Sequence, residues 1–119
     1  MVKKIRYLEK AQKELNELPE TVREDFSTQL RFVERGINPT GAKPLTGKVF
    51  AGVMELVERY RTDTYRLIYF PKLPDAVYVL HVFKKKSVSG SKTPKPNLDT
   101  IERRLASAKQ ESERLTGRR

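Results

Sequence analysis

Between Gly52 and Phe83 the chain carries three apolar runs, "GVMELVERY" (52–60), "TYRLIYF" (64–70) and "AVYVLHVF" (76–83), separated only by "RTD" and the turn-prone "PKLPD". β-Branched and aromatic residues suit a pleated, half-buried surface, and connections this short join antiparallel neighbours. The segment therefore predicts a three-stranded antiparallel meander that needs covering by other elements. Alternation along the second strand puts Tyr65, Leu67 and Tyr69 on one face and Arg66, Ile68 and Phe70 on the other, so one charged side chain stands at the margin of an apolar row. The same alternation groups His81 with Val77, Val79 and Phe83.

The covering elements are legible on either side. Val2 to Arg6 is a short strand candidate. Leu8, Ala11, Leu15 and Leu18 then follow the three-and-four spacing of one buried helix stripe, and Pro19 breaks it. A second stripe, Val22, Phe26, Leu30 and Val33, ends at Gly36, where a left-handed cap would sit. These two helices form a hairpin. Beyond the meander, Leu98, Ile101, Leu105 and Ala108 give a third stripe, with Asn97 or Asp99 as its N-cap and Glu102 completing a capping box with Asp99. The polar end, residues 111–119, is expected to fray. The order is β, α, α, β, β, β, α, an α/β (α+β) arrangement in which helices cover one sheet, and 119 residues allow a single domain at most.

Gly36 to Gly52 holds four glycines and two prolines without a regular period, and reads as a loop. Its "GAKPLTGKV" invites comparison with a P-loop. Five residues rather than four separate Gly41 and Gly47, however, and Val49 stands where Ser or Thr should bind magnesium. That excludes the nucleotide-binding reading and leaves Lys48 as a plain positive charge.

Charge narrows the partners. The formal net charge is +10, and residues 41–98 hold eleven Lys or Arg against four Asp or Glu, whereas residues 1–40 are nearly neutral at eight against seven. Clustered positive charge suits a polyanion, because each neutralised phosphate releases counterions. With no cysteine, disulfides and thiolate zinc sites are excluded. The charged N-terminus lacks the apolar core of a secretory signal, and no window approaches the length of a membrane span. The expectation is a cytoplasmic protein with no membrane partner.

Between Asp75 and Asp99 there is no acidic residue, while five lysines and the only histidine fall there. Lys84, Lys85 and Lys86 begin where the third strand ends, so the sheet anchors one side of the run. A bare run of three lysines is more often a solvated turn that guards a sheet edge. His81 on an apolar strand is more often a satisfied core histidine, and Arg66 could equally be held in a salt bridge to Glu55 or Glu58 on the neighbouring strand.

Taken together these features form a recognisable pattern. "TYRLIYF", then "VLHVFKKK" one hairpin later, then "KTP" and an amphipathic helix resembles the phage-derived branch of the RelE/HigB toxins from bacterial toxin-antitoxin pairs. The resemblance covers most of the chain, including the N-terminal helical hairpin and "KPLTGKVFAGVMEL" leading into the sheet. It implies a compact RelE-like fold and a toxin that cleaves messenger RNA on the ribosome and is neutralised by a cognate helix-turn-helix antitoxin. The implied chemistry uses no metal or cofactor: a ribose 2′-hydroxyl attacks the adjacent phosphate. Relatives on this fold instead poison DNA gyrase, and a basic module that binds nucleic acid or the ribosome without cutting is the remaining alternative.

The resemblance places Arg66 at the Tyr-Arg position and Lys85 and Lys86 at the paired lysines. Arg66 would hold phosphate oxygens with its planar fork. Lys85 or Lys86 would hold phosphate or transfer a proton, and His81 is the default acid or base. Lys48, Arg59, Arg61, Lys84, Lys92 and Lys95 would form an RNA-contacting rim, with Tyr65 stacking on a base. Two departures stand out. Val57 occupies a place where the family often has arginine, leaving Arg59 as substitute, and "SVSGSKTP" is longer than the usual link.

Overall fold

Strands at Met54–Tyr60 (β3), Asp63–Phe70 (β4) and Ala76–Lys85 (β5) form the meander, in a computed structural model that describes residues 2–85 and 93–117. Two further strands complete one sheet. Lys4–Tyr7 (β1) lies parallel to β5, and the two-residue Lys43–Pro44 (β2) pairs antiparallel with β3, giving the order β1-β5-β4-β3-β2. The stretch 36–52, which reads as irregular, thus contains β2 and a 3₁₀ turn at Lys48–Phe50. A two-residue strand is too short to leave an alternating signal.

Helices Ala11–Asn16 (α1) and Glu20–Glu34 (α2) form the expected hairpin, and Lys95–Thr116 (α3) is the long C-terminal helix. The first helix is shorter than its stripe suggests. Glu9 adopts a left-handed φ of 50°, which separates Leu8 from the helix, and Leu8 packs in the cluster beneath α3 instead. Helix α3 begins at Lys95 behind Pro94, with no side-chain cap, so neither Asn97 nor Asp99 caps it. A proline in the first turn needs no N–H there. The helix also runs on to Thr116, past Glu111 where fraying is expected, with Ser112 buried and its hydroxyl donating to Asp75. Among the described residues no helix is long and apolar enough to cross a membrane.

The sheet has two apolar faces. On one, Leu56, Tyr65, Leu67, Tyr69, Val77, Val79 and Val82 pack against Ala11, Leu15, Val22, Phe26 and Leu30 of α1 and α2. On the other, Val53, Ile68, Phe70, Tyr78 and Leu80 pack against Ile101, Leu105 and Ala108 of α3. The division of β4 follows its alternation. That of β5 does not, because the register against β4 slips: Ile68 faces His81 while Tyr69 faces Val79, leaving Leu80 as an extra residue. A bulge of this kind re-aims every side chain beyond it. His81 and Phe83 therefore share the α3 face with Arg66 and Ile68, opposite to Val77 and Val79, which corrects the grouping drawn from alternation.

Candidate functional site

Helix α3 covers only part of its face of the sheet. Near the helix N-terminus the row of apolar residues gives way to charge, and a cleft of 350 Å³ opens, lined by Lys43, Pro44, Leu45, Thr46, Glu55, Arg66, Thr93 and Leu98. Four elements meet there: β2, β3, β4 and the start of α3. Strand alternation explains the composition. Lys43 pairs with Glu55 across β2 and β3, Val57 with Arg66 across β3 and β4, and Phe83 with Arg66 across β4 and β5. Residues directly opposite in antiparallel strands project to the same face.

At the centre, the Arg66 Nη1 donates to the Glu55 Oε2 at 2.5 Å, and both residues are buried. Of the two carboxylates that the sequence offers Arg66, Glu55 takes it, and Glu58 turns to the opposite face to accept from Gln29 at 2.6 Å. The Lys43 Nζ stands 3.8 Å from the other Glu55 oxygen. Arg66 uses one of its five donors on this carboxylate, and its Nε is buried with no partner among the described residues. Lys85 projects from the same face, on the row of Thr64, and only 8% of its surface is exposed. Desolvation, and then the positive charges of Arg66 and Lys43, hold its ammonium pKa below the usual lysine range, with Glu55 opposing.

The remaining expected residues fall into distinct places. Arg59 is exposed on the cleft face, opposite Thr64 and one row beyond Val57. Arg61 is exposed in the β3–β4 turn at a left-handed φ of 58°, its guanidinium 5.2 Å from the Tyr60 ring centroid. Lys84 points to the opposite face from Lys85 and lies 3.9 Å from Asp63. Lys48 is exposed in the 3₁₀ turn, and Lys95, exposed at the start of α3, pairs with Asp99 at 3.4 Å. Lys86 and Lys92 lie outside the described residues. Tyr65 does not fit a base-stacking role: the residue is 6% exposed, packed beneath the helical hairpin on the face away from the cleft.

His81 is held on both ring nitrogens. Its Nδ1 lies 3.0 Å from Glu14 Oε1, and its Nε2 lies 2.9 Å from the amide nitrogen of Asn97. Glu14 also accepts from the Val82 N–H at 3.1 Å and from Arg104 at 3.0 Å. Although burial opposes ionisation, these hydrogen bonds to His81, Arg104 and Val82 draw the Glu14 pKa down to about 2. The network fastens α1 and the first turn of α3 to β5, immediately beside the cleft wall formed by Thr93 and Leu98. Its members come from 14, 81, 97 and 104, a separation that no local motif reveals. Glu55 and Lys43 were equally hard to single out as site residues, since a lone glutamate on a strand and a lysine in a loop carry no spacing signal.

Comparisons with known proteins agree with this architecture. The family model described as phage derived protein Gp49-like matches residues 13–106. No individually curated protein matches the sequence. Among solved structures, a mutant of the Escherichia coli toxin RelE in the free state is 25% identical with a TM-score of 0.52, covering 69% of this chain and 82% of that chain. The RelBE2 toxin-antitoxin complex from Mycobacterium tuberculosis is also 25% identical, covering 71% and 100% with a TM-score of 0.46. With its family model spanning helix α1 through the middle of α3, this chain belongs to the phage-derived Gp49-like family, on a RelE-like toxin fold.

Proposed function

We propose that this chain is the toxin of a toxin-antitoxin pair and inhibits translation by cutting messenger RNA on the ribosome. The observation that carries the proposal is the convergence of Arg66 and Lys43 on one carboxylate, Glu55, in an open cleft on the basic half of the chain, with Lys85 buried on the same sheet face and near enough to feel all three charges. A transesterification of RNA needs an acceptor for the 2′-hydroxyl proton, cations around the pentacovalent phosphorane, and a donor to the leaving oxygen. Glu55 is the one carboxylate among the described lining residues, so it is assigned the acceptor role. The 2′-oxygen then attacks phosphorus, the bond to the 5′-oxygen breaks, and the products are a 2′,3′-cyclic phosphate and a free 5′-hydroxyl.

Arg66 stabilises the charge that builds on the non-bridging oxygens, and Lys43 supports it. Lys85, with its depressed pKa, is a better acid than an ordinary lysine and donates the proton that the 5′-oxygen gains. His81, engaged on both nitrogens, positions β5 and the start of α3 and does not touch the substrate. Arg59, Arg61 and Lys48 supply rim charge that tracks the RNA backbone, with Lys92 assigned to the same rim, and Lys86 to the phosphate or proton transfer, from sequence alone. A cognate helix-turn-helix antitoxin, implied by the family resemblance, completes the pair.

Purified protein added to ribosomes programmed with a defined message tests the reaction. The expected products are discrete fragments with cyclic phosphate on the upstream piece and 5′-hydroxyl on the downstream piece. Stalled translation with the message intact would favour a binding module that acts without cutting.

A further inference from the structure

The cleft face carries one aromatic ring that the phosphate chemistry leaves unused. Phe83 stands directly opposite Arg66 across β4 and β5, two residues before Lys85 on the same strand, and it is partly exposed beside Leu98 at the edge of the α3 cluster. Beyond the Ile68–His81 pair it is the only aromatic on this face among the described residues, because Tyr65 projects to the other. One face of its ring stacks on His81, with centroids 4.8 Å apart and planes at 25°. His81 is itself fixed by Glu14 and Asn97. The ring is therefore backed by a rigid neighbour, while part of its surface stays exposed on the cleft face.

We propose that Phe83 is the surface on which a base flanking the scissile phosphate stacks. This rests on the reading of the cleft as a site of RNA cleavage. A phosphate held by Arg66 leaves the attached nucleoside within reach of the residue opposite, since side chains of such a cross-strand pair lie roughly 5 Å apart at Cβ. Single-stranded RNA is recognised by splaying bases onto aromatic side chains, and a phenylalanine, with no polar atom to read an edge, accepts any base. Phe83 would thus position the substrate without selecting its sequence. The bulge at Leu80 is what makes this possible, because without it Phe83 would project toward the helical hairpin.

The test pairs a protein change with a substrate change. Programmed ribosomes carry a message in which each nucleotide flanking the cut is replaced, one at a time, by an abasic residue. The parent chain should cut one of these messages about tenfold more slowly, and Phe83→Leu should cut the intact message about tenfold more slowly. The two losses should not multiply: on the abasic message Phe83→Leu should lose less than about twofold further. Phe83→Trp should keep the parent rate and abasic sensitivity, and as the only tryptophan in the chain it reports by its emission that the variant is folded. Losses that multiply at every flanking position, or a Phe83→Leu variant as fast as the parent, overturn the stacking. A parent chain that cuts no message at all is a different result, and it removes the underlying reading and the stacking together.

Discussion

Arg66 and Glu55 are each buried, so each holds the other's charge in a place that would otherwise reject it. Breaking such a pair costs about 3–5 kcal/mol because the survivor is left uncompensated. Arg66→Ala is therefore expected to lower stability by about 3 kcal/mol in denaturant unfolding, as well as to abolish activity. The double variant Glu55→Gln/Arg66→Gln should recover a large part of that stability while remaining inactive, which separates folding from chemistry. Lys85 gives a second residue-level prediction. As a proton donor it works only while protonated, so the rate should fall as pH rises through its pKa, and this limb should lie below the ordinary lysine value of 10.5. Lys85→Arg keeps the charge and cannot release a proton in that range. It should lose most of the rate and the limb with it, whereas full activity in Lys85→Arg would reduce Lys85 to a simple charge. Pre-steady-state cleavage measured across pH checks both.

Elements differ in how much of them is local. The β4 faces, the α2 stripe and the apolar face of α3 could be read directly, because each repeats a period over two or more turns or three or more residues per face. The partners of β1 and β2 could not, since short strands bind through backbone registers set at positions distant in the chain. The bulge at Leu80 was likewise silent, and it decides which face His81 and Phe83 occupy. For the site, "TYRLIYF" and "VLHVFKKK" drew attention to Arg66 and Lys85, and the sheet register is what puts the two on one face. Glu55 appeared only as a possible salt-bridge partner, and the Glu14–His81–Asn97–Arg104 network not at all. That network joins three elements, and its loss has a pH signature. Glu14 has a pKa of about 2 in the folded chain against an ordinary 4.5, a depressed value, so its stabilisation is fully present above about pH 4.5 and disappears as pH falls toward 2. Glu14→Gln should be less stable than the parent at neutral pH by about 1–2 kcal/mol, after discounting for partial solvent access. It should then lose less on acidification, and parallel curves for the two proteins between pH 5 and pH 2 would show that Glu14 is not the group responsible.

At the scale of the whole molecule, charge and architecture are separated in a useful way. The sheet and its two apolar clusters form the body, and Lys43, Arg59, Arg66 and Lys85 stand on the face that the start of α3 leaves uncovered. Binding of a polyanion to such a face depends on salt, and the catalytic proposal depends on the few groups inside the cleft. The most direct measurement is the mapping of 5′ ends of cellular RNA after brief induction of the chain, alongside the Lys85→Arg variant. The account predicts new 5′-hydroxyl ends confined to translated frames with the parent chain and their disappearance with the variant. Growth arrest by the parent with no new RNA ends would contradict it.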